Sequence, residues 1–177
     1  MLITHIDIDP EGDTIIVLPH FRPLAKSDPD AEESEDEEEN EEGENEEDKN
    51  DEDPDADTLD SQKPDAESWF KVSMKHLVLA SPRAKKMFGG NYAEAQPDAD
   101  GLRRWTFEPI FDPGAFEIVL NAIHGYTHKL PRNVTLLRLA KISAIVDDLD
   151  CPQSLWFVAK IWIDDMDHDM AIGDLMS

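Results

Sequence analysis

The sequence predicts an α+β domain: a small, mostly antiparallel sheet of three strands covered by a cluster of about five helices, interrupted by an acidic insertion in its first hairpin. Three observations predict it. Two short runs, Thr14-Ile15-Ile16-Val17-Leu18 and Trp69-Phe70-Lys71-Val72-Ser73, have the β-branched content and alternation of half-buried strands. The chain after Met74 is mostly capped segments of helical period, broken by one further strand-like run. Between the two runs lies a stretch with almost nothing to bury.

Charge separates two materials in one chain. The 177 residues carry a net charge of −25. Asp28 to Asp57 holds 20 acidic residues against one Lys, a local charge of −19, which leaves 21 acidic and 15 basic residues elsewhere. The remainder is long enough for one core and too short for two. Residues 1–27 and 66–165 therefore read as one discontinuous domain. Residues 28–65 read as a disordered acidic insertion, because low hydrophobicity and like charge cannot offset the ordering entropy. Residues 166–177 read as a flexible acidic tail that frays from Asp164 onward.

Cys151 is the single cysteine, so no disulfide framework forms within the monomer, as expected in a reducing compartment. Met1 to Asp13 lacks the basic and apolar regions of a signal peptide. No apolar run approaches the roughly 18 residues that span a bilayer. An intracellular protein, cytoplasmic or nuclear, without a membrane partner is expected. Nucleic acid is not expected as a partner either. Phosphate binding needs clustered cations, whereas Arg83, Lys85, Lys86 and the pair Arg103–Arg104 read as solvated faces.

Taken in order, the first structured piece is Ile3 to Leu18, with a turn at Gly12–Asp13, a strand over Thr14–Leu18 and Pro19 as its stop. If Trp69–Val72 pairs antiparallel with it, the acidic stretch is a hairpin loop, tolerable because closure entropy grows only logarithmically with length. Met74 to Ala80 reads as a short helix. Ser81-Pro82 caps and opens the next, which stops at Gly89-Gly90. Leu102 to Phe107 is the third strand. Asp112-Pro113 opens a helix with Phe116, Val119, Leu120 and Ile123 on one face, ended by Gly125. Leu136 to Val146 follows Asn133 or Thr135 as cap, and Cys151-Pro152 starts the last helix.

This order and several local runs resemble the BTB/POZ domain family in its divergent fungal versions. Gly12-Asp13-Thr14-Ile15-Ile16-Val17-Leu18 is similar to the family's first strand, and Phe70 through Ser81 to its second strand and His-containing first helix. Ser81-Pro82 through Met87-Phe88, Asp112 to Phe116 with Ile123-His124-Gly125, and Leu136 to Cys151 resemble the helices that follow. Ala84 stands where the family often has an aromatic, and the family's hairpin turn is short. The N-terminal helix and strand that exchange in dimers of the longer versions are expected to be missing. The resemblance implies a non-enzymatic protein–protein interaction scaffold or adaptor, by homotypic or heterotypic association, and in several branches a contact with a cullin ubiquitin ligase. Tyr92-Ala93-Glu94 falls where such adaptors carry a hydrophobic residue, any residue and Glu. Tyr92 and Glu94 are thus candidate partner-binding residues, against the plainer reading that Tyr92 packs on its loop and Glu94 is solvated.

The last helix supplies the other candidates. Trp156, Phe157, Ile161, Trp162 and Ile163 make it apolar on more than one face, as in a helix that is buried or docks a partner. Trp156, Ala159 and Trp162 are expected in the core, Phe157 and Ile161 on the outer, partner-binding side. Catalytic, cofactor and metal sites are not expected. Cys151 beside His124 or His128 matches no nucleophile signature. The spacings Asp7-x-Asp9-x-Glu11-Gly12 and Asp98-x-Asp100-Gly101 lack the closing ligand of a calcium loop and read as turns. The acidic run has a second reading, from a different class: a polyanion that binds basic proteins as an acidic chaperone does.

Overall fold

The computed structural model describes residues 2–21 and 64–175. Four strands, β1 (Leu2–Asp7), β2 (Thr14–His20), β3 (Ala66–Val72) and β4 (Arg103–Thr106), form one mixed sheet in the order β1-β3-β2-β4. Five helices accompany it: α1 (Met74–Ala80), α2 (Pro82–Gly89), α3 (Pro113–Ile123), α4 (Leu136–Leu149) and α5 (Pro152–Leu175). The α+β class is as expected. The β2–β3 pairing is antiparallel, with Ile16 opposite Phe70 and Leu18 opposite Ser68. The insertion expected over 28–65 lies, apart from its last two residues, outside the described residues.

The sheet itself needs two corrections. It has four strands instead of three, and it is mostly parallel: β1 runs parallel to β3, and β4 parallel to β2. The missed strand, β1, sits on an edge with all but one of its residues exposed, so no buried face imposed a clear alternation on its sequence. It also fills the region where no strand was expected. β1 and β2 flank β3 because the loop between them folds across the end of β3. The backbone N–H groups of Ile8 and Asp9 both donate to the Lys71 carbonyl at 3.0 Å. Gly12 presses so closely on this strand that a Cβ there would stand 2.4 Å from the Val72 carbonyl oxygen. Only a residue without a side chain passes. Pro19 does not stop β2, which runs to His20. β4 pairs with β2 only as far as Val17, so the missing N–H of Pro19 falls where one side of the strand is open.

The faces of the sheet differ. Ile16, Leu18, Phe70, Val72 and Trp105 point into the main core beneath the helices. There Phe70 stacks on Phe116 at 5.8 Å, and Phe107 meets Phe116 edge-on at 5.0 Å. Ile15 and Val17 point the other way yet are buried as well. On that face the Trp69 indole N–H donates to Glu67 at 2.7 Å, and the Arg104 guanidinium lies 5.8 Å over the indole. Arg104 is in turn held by Asp98 and Asp100, both at 2.6 Å.

The helices begin where their caps dictate. Ser81 Oγ accepts from Ala84 N at 2.9 Å and donates to the Leu149 carbonyl, joining the start of α2 to the end of α4. Asp112 accepts from Ala115 N at 2.8 Å and pairs with Arg138 and Lys141 of α4, both at 2.8 Å. Thr135 caps α4, which ends at Asp150 in the left-handed conformation (φ 52°). The last helix extends to Leu175, so its backbone continues into the stretch read as a tail over 166–177. Nothing in the acidic segment breaks a helix, since it contains no proline.

Candidate interaction surface

α5 divides into stripes by its 3.6-residue period. Leu155 and Trp162 are buried, with Val158, Ala159 and Met166 half-buried along the same stripe. Trp162 fixes the helix in place, since its indole N–H donates to the Pro131 carbonyl at 3.0 Å. Phe157 and Ile161, one turn apart, lie outside as expected, 70% and 41% exposed. Trp156 was expected in the core and is 63% exposed. The reason is geometric: one residue beyond Leu155 is 100° round the helix, so both cannot face the core. Ile163 stands 46% exposed two turns further on the same flank as Trp156.

That flank borders a cleft. α5 packs more extensively on α3 than on α4, and between α4 and α5 a groove of about 510 Å³ remains. Leu139, Ile142 and Val146 line its α4 side, and Leu155, Trp156, Ala159 and Ile163 its α5 side. Asp147, Asp150 and Lys160 are its charged lining residues. None of the three has an ion-pair partner among the described residues. The sequence carried a weak signal for this groove in the apolar positions shared by two consecutive helices. The gap between them depends on how α5 seats on α3.

Tyr92 and Glu94 belong elsewhere. Tyr92 is 46% exposed and Glu94 half-buried, at a short 3-10 turn (Ala93–Ala95) that packs on α2 and β4. The Tyr92 ring lies over Gly90, where a Cβ would come within 2.7 Å of it. The four candidate residues thus fall on two separate places. Arg83, expected on a solvated face, is partly structural: it pairs with Asp148 and lies 5.5 Å over Trp105 and over Phe107.

The polar groups with chemical potential are otherwise engaged. Cys151 is buried, and burial, helped by the charge of Asp150, pushes its thiol up to about 12, which leaves no thiolate near neutral pH. His124 is a structural pin. Its Nδ1 hydrogen-bonds the Leu120 carbonyl at 2.8 Å, and its Nε2 accepts from Ser73 N at 3.1 Å. Its ring stands 4.9 Å from His76. Burial, with His76 adding to it, holds its pKa below the usual histidine value. Asp9 accepts from Glu11 N at 3.0 Å, as a turn residue does. Among the described residues no group of His, Cys, Asp or Glu side chains is arranged to hold a metal ion, and no helix is long and apolar enough to cross a membrane. No protein-family model, curated protein or solved structure matches this chain.

Proposed function

We propose that this chain is a non-enzymatic protein–protein interaction module of BTB/POZ-like type, whose working surface is the outer side of its last helix. One observation carries the reading: Trp156, Phe157, Ile161 and Ile163 stand 63%, 70%, 41% and 46% exposed along a single helix, beside an apolar groove. Soluble domains seldom leave so many large apolar side chains of one helix in water without a use for them. Large aromatic residues are also the side chains on which interface energy concentrates. The adaptor form of this reading adds a cullin contact at the exposed Tyr92, with Glu94 beside it. Loss of cullin retention in Tyr92→Ala tests that addition by itself.

The charge pattern favours a second reading, in which the stretch from Asp28 to Asp57, at −19, binds basic proteins as a polyanion. One experiment separates the two. Proteins retained from a lysate by the immobilised chain are compared with those retained by a Trp156→Lys/Phe157→Lys variant and by a chain lacking residues 28–57. The interaction-surface reading expects retention to fall in the double variant and to persist in the deletion. The reverse pattern replaces it with the polyanion reading. Light scattering across a concentration series then shows whether the partner is a second copy.

A further inference from the structure

We infer that the groove between α4 and α5 receives an amphipathic helix with cationic flanks from another protein. The inference rests on the interaction-module reading and names the partner's chemistry. The shape comes first. The groove runs along two consecutive helices, and its α4 wall from Leu139 to Val146 spans eight residues, roughly 10 Å or two turns. The rim of its α5 wall stands in water, since Trp156 is 63% and Ile163 46% exposed. A long apolar trough open to solvent fits a helix that lays side chains at i, i+4 and i+7 into it, as helix-in-groove recognition does.

Charge selects the helix. Asp147 and Asp150 line the end of the groove where α4 meets α5. The neighbouring cations of α4 are already engaged, Arg138 and Lys141 by Asp112, while Arg83 holds Asp148 and leaves the two lining aspartates unpaired. Lys160 is the one cation lining the groove, opposed by two aspartates. A partner helix with Lys or Arg beside its apolar face, placed toward Asp147 and Asp150, meets complementary charge. A second copy of this chain does not. It brings the same aspartates to the same seam, in a molecule whose net charge is already −25.

The test uses the full-length chain and three fluorescein-labelled helical peptides, each roughly four turns long. One has Leu at i, i+4 and i+7 with Lys flanks. The second keeps the leucines with Glu flanks. The third scrambles the first, keeping its charge without an apolar face, and so measures attraction to the acidic stretch alone. Fluorescence anisotropy at physiological salt should show the Lys-flanked peptide binding about tenfold or more tighter than either control. Ser143→Trp fills the groove from an exposed position and should remove that advantage with an unchanged melting temperature. Asp147→Asn/Asp150→Asn should cut it severalfold and flatten its salt dependence. Equal binding of the Glu-flanked peptide, still lost in Ser143→Trp, overturns the cationic partner but leaves the interaction surface standing. So does a concentration-dependent dimer that Ser143→Trp abolishes. Binding that ignores both the peptide's apolar face and Ser143→Trp overturns the groove as a docking site, while the retention lost or kept by Trp156→Lys/Phe157→Lys decides the interaction-surface reading separately.

Discussion

Substituting Gly12 by alanine should unlock the edge of the sheet. The Cβ introduced there meets the Val72 carbonyl oxygen at 2.4 Å, its carbon at 2.6 Å and the Asp9 carbonyl oxygen at 2.9 Å. All three atoms are backbone, so no rotamer change relieves the clash, and the loop has to lift by about 1 Å to restore van der Waals contact. The same loop supplies the Ile8 and Asp9 N–H groups that donate to Lys71. Lifting it stretches both from 3.0 Å past the length at which such bonds hold. Overpacking costs about 1–3 kcal/mol, and each weakened bond about 1 kcal/mol, so a loss near 3 kcal/mol is expected. For a domain of this size that is a fall in melting temperature of roughly 6–12 °C. Thermal unfolding followed by circular dichroism reads the total. Amide hydrogen exchange reads the place, because β1 should lose protection before β2 and β3 do. A Gly12→Ala variant melting within about 2 °C of the parent, with β1 protected, would refute the argument that a glycine is needed where the loop crosses β3.

Three further outcomes follow from single contacts. The pKa of His124 is lower folded than unfolded, so the unfolded chain takes up its proton first. The stability it contributes is complete above about pH 6.5 and is lost as pH falls through the folded value. Urea unfolding between pH 7.5 and 5.5 should show this decline in the parent, and His124→Asn should be less stable at pH 7.5 and show a flatter profile. Ser81→Ala removes the α2 cap and leaves the buried Leu149 carbonyl without its hydroxyl donor, costing about 2 kcal/mol in urea unfolding. Cys151 should resist alkylation under native conditions at neutral pH and react at the rate of a free thiol once the chain is unfolded, as mass spectrometry would record.

Much of this fold was legible in the sequence because its signals are local. The Ser81-Pro82, Asp112-Pro113 and Thr135 starts each satisfy backbone N–H groups within three residues, so the caps can be read without knowing what packs above them. The β2–β3 pair was legible because β3 alternates buried and half-buried along its whole length. What escaped was set by distant contacts. The parallel placement of β1 depends on a loop crossing the end of a strand more than fifty residues later in the chain. The parallel run of β4 beside β2 depends on two helices intervening, which a list of strands does not reveal. On α5, period alone separates Leu155 and Trp162 from Phe157 and Ile161, whereas the Trp156 indole invited a core assignment on hydrophobicity that its angular position forbids.

Both proposed binding features point to one sign of partner charge, but they act at different ranges. A stretch of −19 attracts a basic protein from a distance that salt shortens, which raises the association rate without choosing an orientation. The groove beside Trp156 acts only on contact, where removal of apolar surface from water and two aspartates at one end set how long a partner stays. If the two serve the same partner, they separate kinetically. Deleting residues 28–57 should slow association and weaken its salt dependence while leaving dissociation nearly unchanged, and Ser143→Trp should speed dissociation with little effect on association. If they serve different partners, each variant abolishes one complex and spares the other. The apolar side chains of α5 then need explanation only by the partner lost in Ser143→Trp.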